Sequence, residues 1–241
     1  MRSLDSTASI QHRVQALDWD TISESLWRDG YALLPPMLGP EECKHLIEAY
    51  DRGPLFRSHV VMARFGFGQG EYKYFKYPLP ALVKDLREQF YPRLAPVANQ
   101  WAAAIGGGVF PEKHADFLAV CQDAGQDKPT PLILKYETGD FNCLHQDIYG
   151  AVAFPFQLTF FLSRPGTDYS GGEFVLVEQR PRMQSRVMVI TAQQGQAVLF
   201  PTRYRAVRGT RGIYKANLKH GVSPLRSGKR FTLGLIFHDA Q

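Results

Sequence analysis

Long apolar runs are missing from this chain of 241 residues. No stretch approaches the roughly 18 residues that a bilayer-spanning helix needs, so no membrane segment is expected. The opening residues, MRSLDSTASIQHRVQALDWD, contain no apolar core, so no secretory signal is read there and a cytoplasmic location is expected. Cysteine is scarce. Cys43, Cys121 and Cys143 are odd in number, widely spaced and form no CxxC pair. That usage argues against a disulfide framework and suits a reducing compartment, with three buried thiols as the expectation. Internal repeats and low-complexity tracts are absent as well. What remains is an ordinary globular composition, 44% hydrophobic and 21% charged, in a chain long enough to bury a sizeable core.

Charge is weakly one-sided at +5, which alone says little about partners. Its placement says more. TRYRAVRGTRGIYK carries Arg203, Arg205, Arg208, Arg211 and Lys215. RFGFGQGEYKYFKY, residues 64–77, interleaves Arg64, Lys73 and Lys76 with six aromatic residues, Tyr72 and Tyr74 among them. Cations for phosphates and aromatic faces for bases are what a single-stranded nucleic-acid surface uses. A glycine-rich hairpin with its aromatics packed inward would read the same way, and a lid is a third use of such a loop.

Residues 1–17 read as a loose polar arm, and 18–241 as one folding unit, because no linker divides them. WDTISESLWRDG has an apolar stripe closed by Gly30, YALLPPML a short strand, and GPEECKHLIEAYDRG a helix with proline in its first turn. Residues 78–106 are expected to be mostly helical, ending at the glycines 106–108. From residue 131 the texture changes to short strand-like runs: PLILKYE, FQLTFFLS, GEFVLVEQ, RVMVITAQ, QAVLFP, YKANLKHGVS and RFTLGLIFHD. Strands at this spacing indicate a sandwich or barrel. The fold class is therefore α+β and mainly β, with helical support over 18–130 and an all-β core over 131–241.

Within NCLHQDIYG, His145 and Asp147 stand two apart at the end of a predicted strand, where i and i+2 share a face. A histidine and a carboxylate on one face are two of the three ligands of a 2-His-1-carboxylate iron site, which leaves positions open for co-substrate and oxygen. The motif also occurs as His114-Ala115-Asp116. There the surrounding apolar spacing is helical, i and i+2 diverge, and surface positions are expected. For the third ligand His220 is the best candidate and His238, close to the end of the sequence, its rival. Ten residues after His220, Arg230 shares a strand face with Thr232. A guanidinium in a barrel interior needs an anion, either a dicarboxylate or a core glutamate such as Glu173. Arg226 is a second basic residue nearby.

These residues resemble the Fe(II)- and 2-oxoglutarate-dependent dioxygenases. YETGDFNCLHQD is similar to their lead-in to His-x-Asp, SGGEFVL to a strand of the prolyl hydroxylase group, GQAVLFP to their penultimate strand, and HGVSPLRSGKR to the distal histidine and co-substrate-binding basic residue. LWRDGYALLPPMLGPEECKHLIEAY resembles their helix-strand-helix entry. The resemblance implies a double-stranded β-helix, or jelly roll. It implies iron on His145, Asp147 and His220, 2-oxoglutarate on Arg230 with Thr232, Tyr136 beside it, and O2 as oxidant. On substrate it divides. LHQD with HGVSPLRSG resembles the AlkB-like enzymes, and the overall pattern a bacterial family described as oxygenases for alkylated DNA. That branch implies oxidative dealkylation of bases, with Arg203, Arg205, Arg208, Arg211, Tyr72 and Tyr74 holding damaged or single-stranded nucleic acid. The interval to Arg230 and GGEF instead resemble prolyl hydroxylases, which leaves a hydroxylase of a free or peptidyl amino acid open. A non-catalytic jelly-roll binding protein is the remaining alternative, and a small-molecule substrate fits the amino-acid branch.

Overall fold

The structure, a computed structural model, describes residues 8–210 and 212–241. Five α-helices are described: α1 Ile10–Gln15, α2 Trp19–Arg28, α3 Pro40–Ala49, α4 Ala81–Ile105 and α5 His114–Asp123. Four strands precede residue 131: β1 Ala32–Leu34, β2 Phe56–Val61, β3 Gly68–Gln69 and β4 Glu71–Phe75. Ten follow it: β5 Leu132–Glu137, β6 Phe141–His145, β7 Phe156–Phe161, β8 Tyr169–Gly171, β9 Phe174–Gln179, β10 Arg186–Ile190, β11 Ala197–Pro201, β12 Tyr204–Gly209, β13 Gly212–Val222 and β14 Leu225–Ile236.

The strands pair antiparallel into two sheets. The larger runs β1-β11-β7-β14-β5-β4-β2 with β8 beside β14; the smaller runs β10-β9-β13-β6-β3 with β12 beside β13. Alternation along the central strands explains the layering. In β7 (FQLTFF), Phe156, Leu158 and Phe160 enter a core shared with the helices, while Gln157, Thr159 and Phe161 point to the interior between the sheets. In β11, Ala197 and Leu199 face the helices, whereas Val198 and Phe200 meet Leu176 and Leu218 of the smaller sheet. In β14, Leu233 and Leu235 face the helices, whereas Arg230, Thr232 and Gly234 line an internal cavity. Both faces of these strands are buried, which is why the sequence shows near-continuous apolar runs rather than clean alternation. This is the expected jelly roll with helices along one side.

The helices follow local signals. Asp18 caps α2 through the Thr21 amide, and Glu42 reaches back to the Gly39 amide at the start of α3. α4 carries Phe90, Tyr91 and Trp101 into the core, with Phe90 edge-on to Trp19 at 6.2 Å and to Phe160 at 6.1 Å.

Two expectations are corrected and one open alternative is narrowed. Residues 8–17 are not a loose arm: Ile10 and Val14 of α1 lie in the helical core, and Arg13 forks onto Glu42 at 2.6 and 2.8 Å. Residues 1–7 lie outside the described residues. Residues 64–77 are not a lid over their whole length, because β4 is hydrogen-bonded between β2 and β5 and buries Tyr74 and Phe75. The hairpin with inward aromatics describes that half; Phe65 and Phe67 remain exposed and stacked at 5.5 Å. Cys43 and Cys121 are buried, but Cys143 is exposed. Among the described residues no helix is long and apolar enough to cross a membrane.

Phe160 is fully buried between α4 and the larger sheet. Phe160→Ala is expected to lower the unfolding free energy by about 3–5 kcal/mol, measured by urea denaturation. A loss of less than about 1 kcal/mol would mean that this face carries little of the stability.

Candidate metal centre and adjoining cavity

The smaller sheet brings the triad together. β13 pairs with β6 in a register that sets His220 opposite His145, with ring centroids 4.1 Å apart. Asp147 lies two residues past the end of β6, so the strand itself carries only the first ligand. Its carboxylate reaches both rings: Oδ1 lies 3.7 Å from His145 Nε2 and Oδ2 lies 3.2 Å from His220 Nε2. The three donor atoms fall within 4.8 Å of one another, close enough to hold a single ion.

The surroundings prepare these groups as ligands. His145 Nδ1 lies 2.8 Å from the Cys143 carbonyl, which can only accept. The proton therefore sits on Nδ1, and the Nε2 lone pair is free for a metal. Burial, with His220 beside it, holds the His145 pKa below its ordinary value, which favours that neutral form. Burial alone would raise the Asp147 carboxyl, but His220, His145 and the Tyr149 hydroxyl together hold it well below the usual carboxylate range. Tyr149 donates to Asp147 Oδ1 at 2.7 Å and receives a hydrogen bond from Tyr74 at 3.0 Å.

The triad opens into a cavity of about 320 Å³ between the sheets. Arg230, 1% exposed, lines it from the interior face of the larger sheet. None of its three guanidinium nitrogens has a hydrogen-bond partner among the described residues, and Tyr136, Phe161 and Tyr169 surround it at 5.3–5.9 Å. Glu173 is not its counter-ion. That carboxylate bonds Ser223 and lies 3.7 Å from the exposed Arg226, which stands outside the cavity. A buried, unpaired guanidinium is costly, so the chemistry of this wall asks for an anion. Thr232 and Tyr136 line the same wall, and Asn142 donates to the Tyr136 hydroxyl at 3.1 Å.

The other sequence candidates separate. His114 is on α5 as expected, but it is buried rather than on the surface, bonded to the Phe237 carbonyl at 2.9 Å and packed on Tyr91. Asp116 is exposed. His238 is fully buried and accepts from the Phe154 amide at 3.2 Å, so it is no rival for the triad. Tyr72 and Tyr74 line the cavity. The arginine cluster does not act as one surface, because β12 pairs with β13 and turns alternate residues inward. Arg205 is 1% exposed, paired with Glu178 at 2.9 Å and bonded to the Trp27 and Arg28 carbonyls; it holds α2 on the sheet and is unavailable to a substrate. Arg208 covers the Trp27 ring at 4.9 Å, and Arg203 covers Tyr204 at 4.5 Å. Arg211 lies outside the described residues.

Sequence reasoning missed Tyr149, Gln146 and Gln157. Tyr149 continues the i, i+2 spacing of His145 and Asp147, a signal that was there to read. Gln146 bridges the Arg203 and Leu218 carbonyls at 3.1 and 2.9 Å. Gln157 is buried in the cavity with its amide nitrogen unpartnered, and nothing local marks it. Tyr149→Phe keeps the ring and removes the bond to Asp147. It is expected to weaken Mn(II) binding by roughly tenfold or more, read by calorimetric titration; unchanged affinity would leave Tyr149 without a role in orienting the carboxylate.

Comparison with known proteins agrees with this geometry. A family model described as an oxygenase catalysing oxidative methylation of damaged DNA matches residues 70–240. The uncharacterized protein Rv2227 of Mycobacterium tuberculosis is 48% identical over 167 residues, 69% of this chain and 72% of that protein. A 2OG-Fe(II) oxygenase family oxidoreductase from Burkholderia pseudomallei superposes with a TM-score of 0.55 at 15% identity, over 93% of each chain. A prolyl-4-hydroxylase from Pseudomonas putida does so with a TM-score of 0.51 at 14% identity, over 90% of this chain and 96% of that one. At such identities the likeness is one of fold.

Proposed function

The chain belongs to this oxygenase family, and on that premise we propose that it is an Fe(II)- and 2-oxoglutarate-dependent dioxygenase that oxidatively dealkylates bases of single-stranded or damaged nucleic acid. The observation that carries the co-substrate assignment is Arg230, a buried guanidinium with every nitrogen unpartnered, in the same cavity as His145, Asp147 and His220. Two imidazoles with one carboxylate are a donor set suited to Fe(II).

His145, Asp147 and His220 would hold the iron. Arg230 would pair with a carboxylate of 2-oxoglutarate, with Thr232 and Tyr136 beside it. Iron, 2-oxoglutarate and O2 together supply an oxidant able to take a hydrogen atom from a C–H bond, with succinate and carbon dioxide as co-products. The protein's part is orientation and exclusion of water. Tyr149 and the Cys143 carbonyl fix two of the ligands. Tyr72, Tyr74 and Leu134 give the cavity an aromatic and apolar lining.

The substrate assignment rests on the family's description and on the rim. Phe67 and Gly66 border the cavity mouth, with the exposed Phe65 stacked on Phe67 and Arg64 beside them. An exposed aromatic pair next to a cation suits a base and its phosphate. Arg205 takes no part, and among the described residues of the arginine run the exposed Arg203 and Arg208 are offered to a strand.

Succinate release with Fe(II) and O2 tests both halves. Wild-type turnover is expected to rise when a methylated single-stranded oligonucleotide is added, and His145→Ala or a chelator is expected to abolish it. Turnover that needs His145 but ignores the oligonucleotide would keep the iron site and direct the search to amino acids and peptides. Turnover indifferent to His145 would remove the metal assignment. Arg230→Ala is expected to raise the KM for 2-oxoglutarate by about tenfold or more, with the melting temperature unchanged or raised, since an unpaired buried charge is lost. An unchanged KM would place the co-substrate elsewhere.

A further inference from the structure

A second cavity, of about 260 Å³, stands behind the metal site. The two share one wall. Between residues 147 and 150 the lining alternates, with Asp147 and Tyr149 on the first cavity while Ile148 and Gly150 line the second. The far wall is the last turns of α4, Ala98, Trp101, Ala102 and Ile105, and the rim is Arg203, Tyr204 and Lys215.

Three features of this cavity ask for the same kind of ligand. Trp101 lines the cavity and is 1% exposed, yet its indole N–H has no acceptor among the described residues, so a buried donor is left for a carbonyl or ring nitrogen. The walls are otherwise apolar and small enough in side chain to admit a flat ring. Arg203 and Lys215 lie against the Tyr204 ring at 4.5 and 5.7 Å and have no carboxylate partner among the described residues; no acidic side chain lines the cavity. A planar ring bearing acceptors, attached to an anion, is a nucleotide.

We propose that this second cavity seats a base of the single strand next to the one being oxidised, with its acceptor on Trp101 and its phosphate between Arg203 and Lys215. The inference rests on the nucleic-acid assignment above and adds to it a second base site. Gln146 ties the two sites together, because its side chain lines the metal cavity and bonds the Arg203 carbonyl at the rim of the other. A strand crossing the edge of the Ile148 wall presents consecutive bases to the two cavities. The site then distinguishes a strand from a free nucleoside without reading its sequence, since every base offers a flat face and an acceptor.

The experiment is fluorescence anisotropy of an unmodified, labelled thymidine octanucleotide at low salt, in parallel with succinate release on a methylated octanucleotide. Wild type is expected to bind it. Ala102→Phe, which fills the cavity, and the exposed pair Arg203→Ala with Lys215→Ala are each expected to weaken binding by about tenfold. Trp101→Phe, which keeps the ring and deletes only the donor, is expected to weaken it several-fold and to remove a strand-induced change in tryptophan emission. Melting temperatures guard against loss of fold, and the two surface substitutions keep the test valid if the cavity variants fail to fold. Variants that bind as wild type does, while the methylated strand still stimulates wild-type succinate release, would overturn this inference and leave the dioxygenase assignment standing. Wild type that neither binds the strand nor responds to it would overturn both.

Discussion

The antiparallel pairing of β13 with β6 is the constraint on which the site depends. It sets His220 opposite His145, and both rings then lean on a carboxylate just past the end of β6. Side chains in a strand alternate in direction, so a slip of one residue would turn His220 to the other face and dissolve the triad. The same strand is held on its other side by β9, where Leu176 faces His220 and Glu178 faces Leu218. Core packing of Leu176 and Leu218 against Val198 and Phe200 thereby pins the register that the chemistry needs.

The interior is otherwise arranged so that charge is tolerated only where it has a use. Arg87 and Asp239 are both buried and meet at 2.7 Å, and Arg87 also donates to the Ile236 and Phe237 carbonyls, securing the segment after β14. Arg205 and Glu178 are a second buried pair. Arg230 is the exception, buried on a core strand with no partner. An uncompensated buried cation opposes folding, and its place in the wall of a cavity beside the candidate metal triad is why the proposed function seats the co-substrate's anionic end there.

Much of this was legible beforehand, for identifiable reasons. Helix caps at Asp18 and Glu42, and the apolar runs of β5, β7, β9, β11, β13 and β14, are local signals with local causes. His145, Asp147, His220 and Arg230 could be picked out because two spacings, two residues and ten residues, recur in a known pattern. What failed depended on a partner distant in sequence. The run from Arg203 to Lys215 looked like one basic surface. In the structure it is a hairpin, β12 against β13, whose inward positions bury Arg205 beneath α2. Residues 64–77 looked like a loop because the strand that completes β4, β5, lies about 60 residues away.

The sequence by itself determined the longer helices, the mainly-β class and the candidate metal-ligand residues, since each follows from short-range periodicity or a compact motif. Only the tertiary structure decided which charges are free. Whether an arginine is a counter-ion, a scaffold or a ligand-binding group depends on what lies within a few ångströms of its guanidinium, and those neighbours come from remote strands. Arg205 and Arg230 are equally buried, at 1% exposure each. One faces Glu178 and the other faces an open cavity, and that difference in surroundings separates a structural residue from the one assigned to the co-substrate.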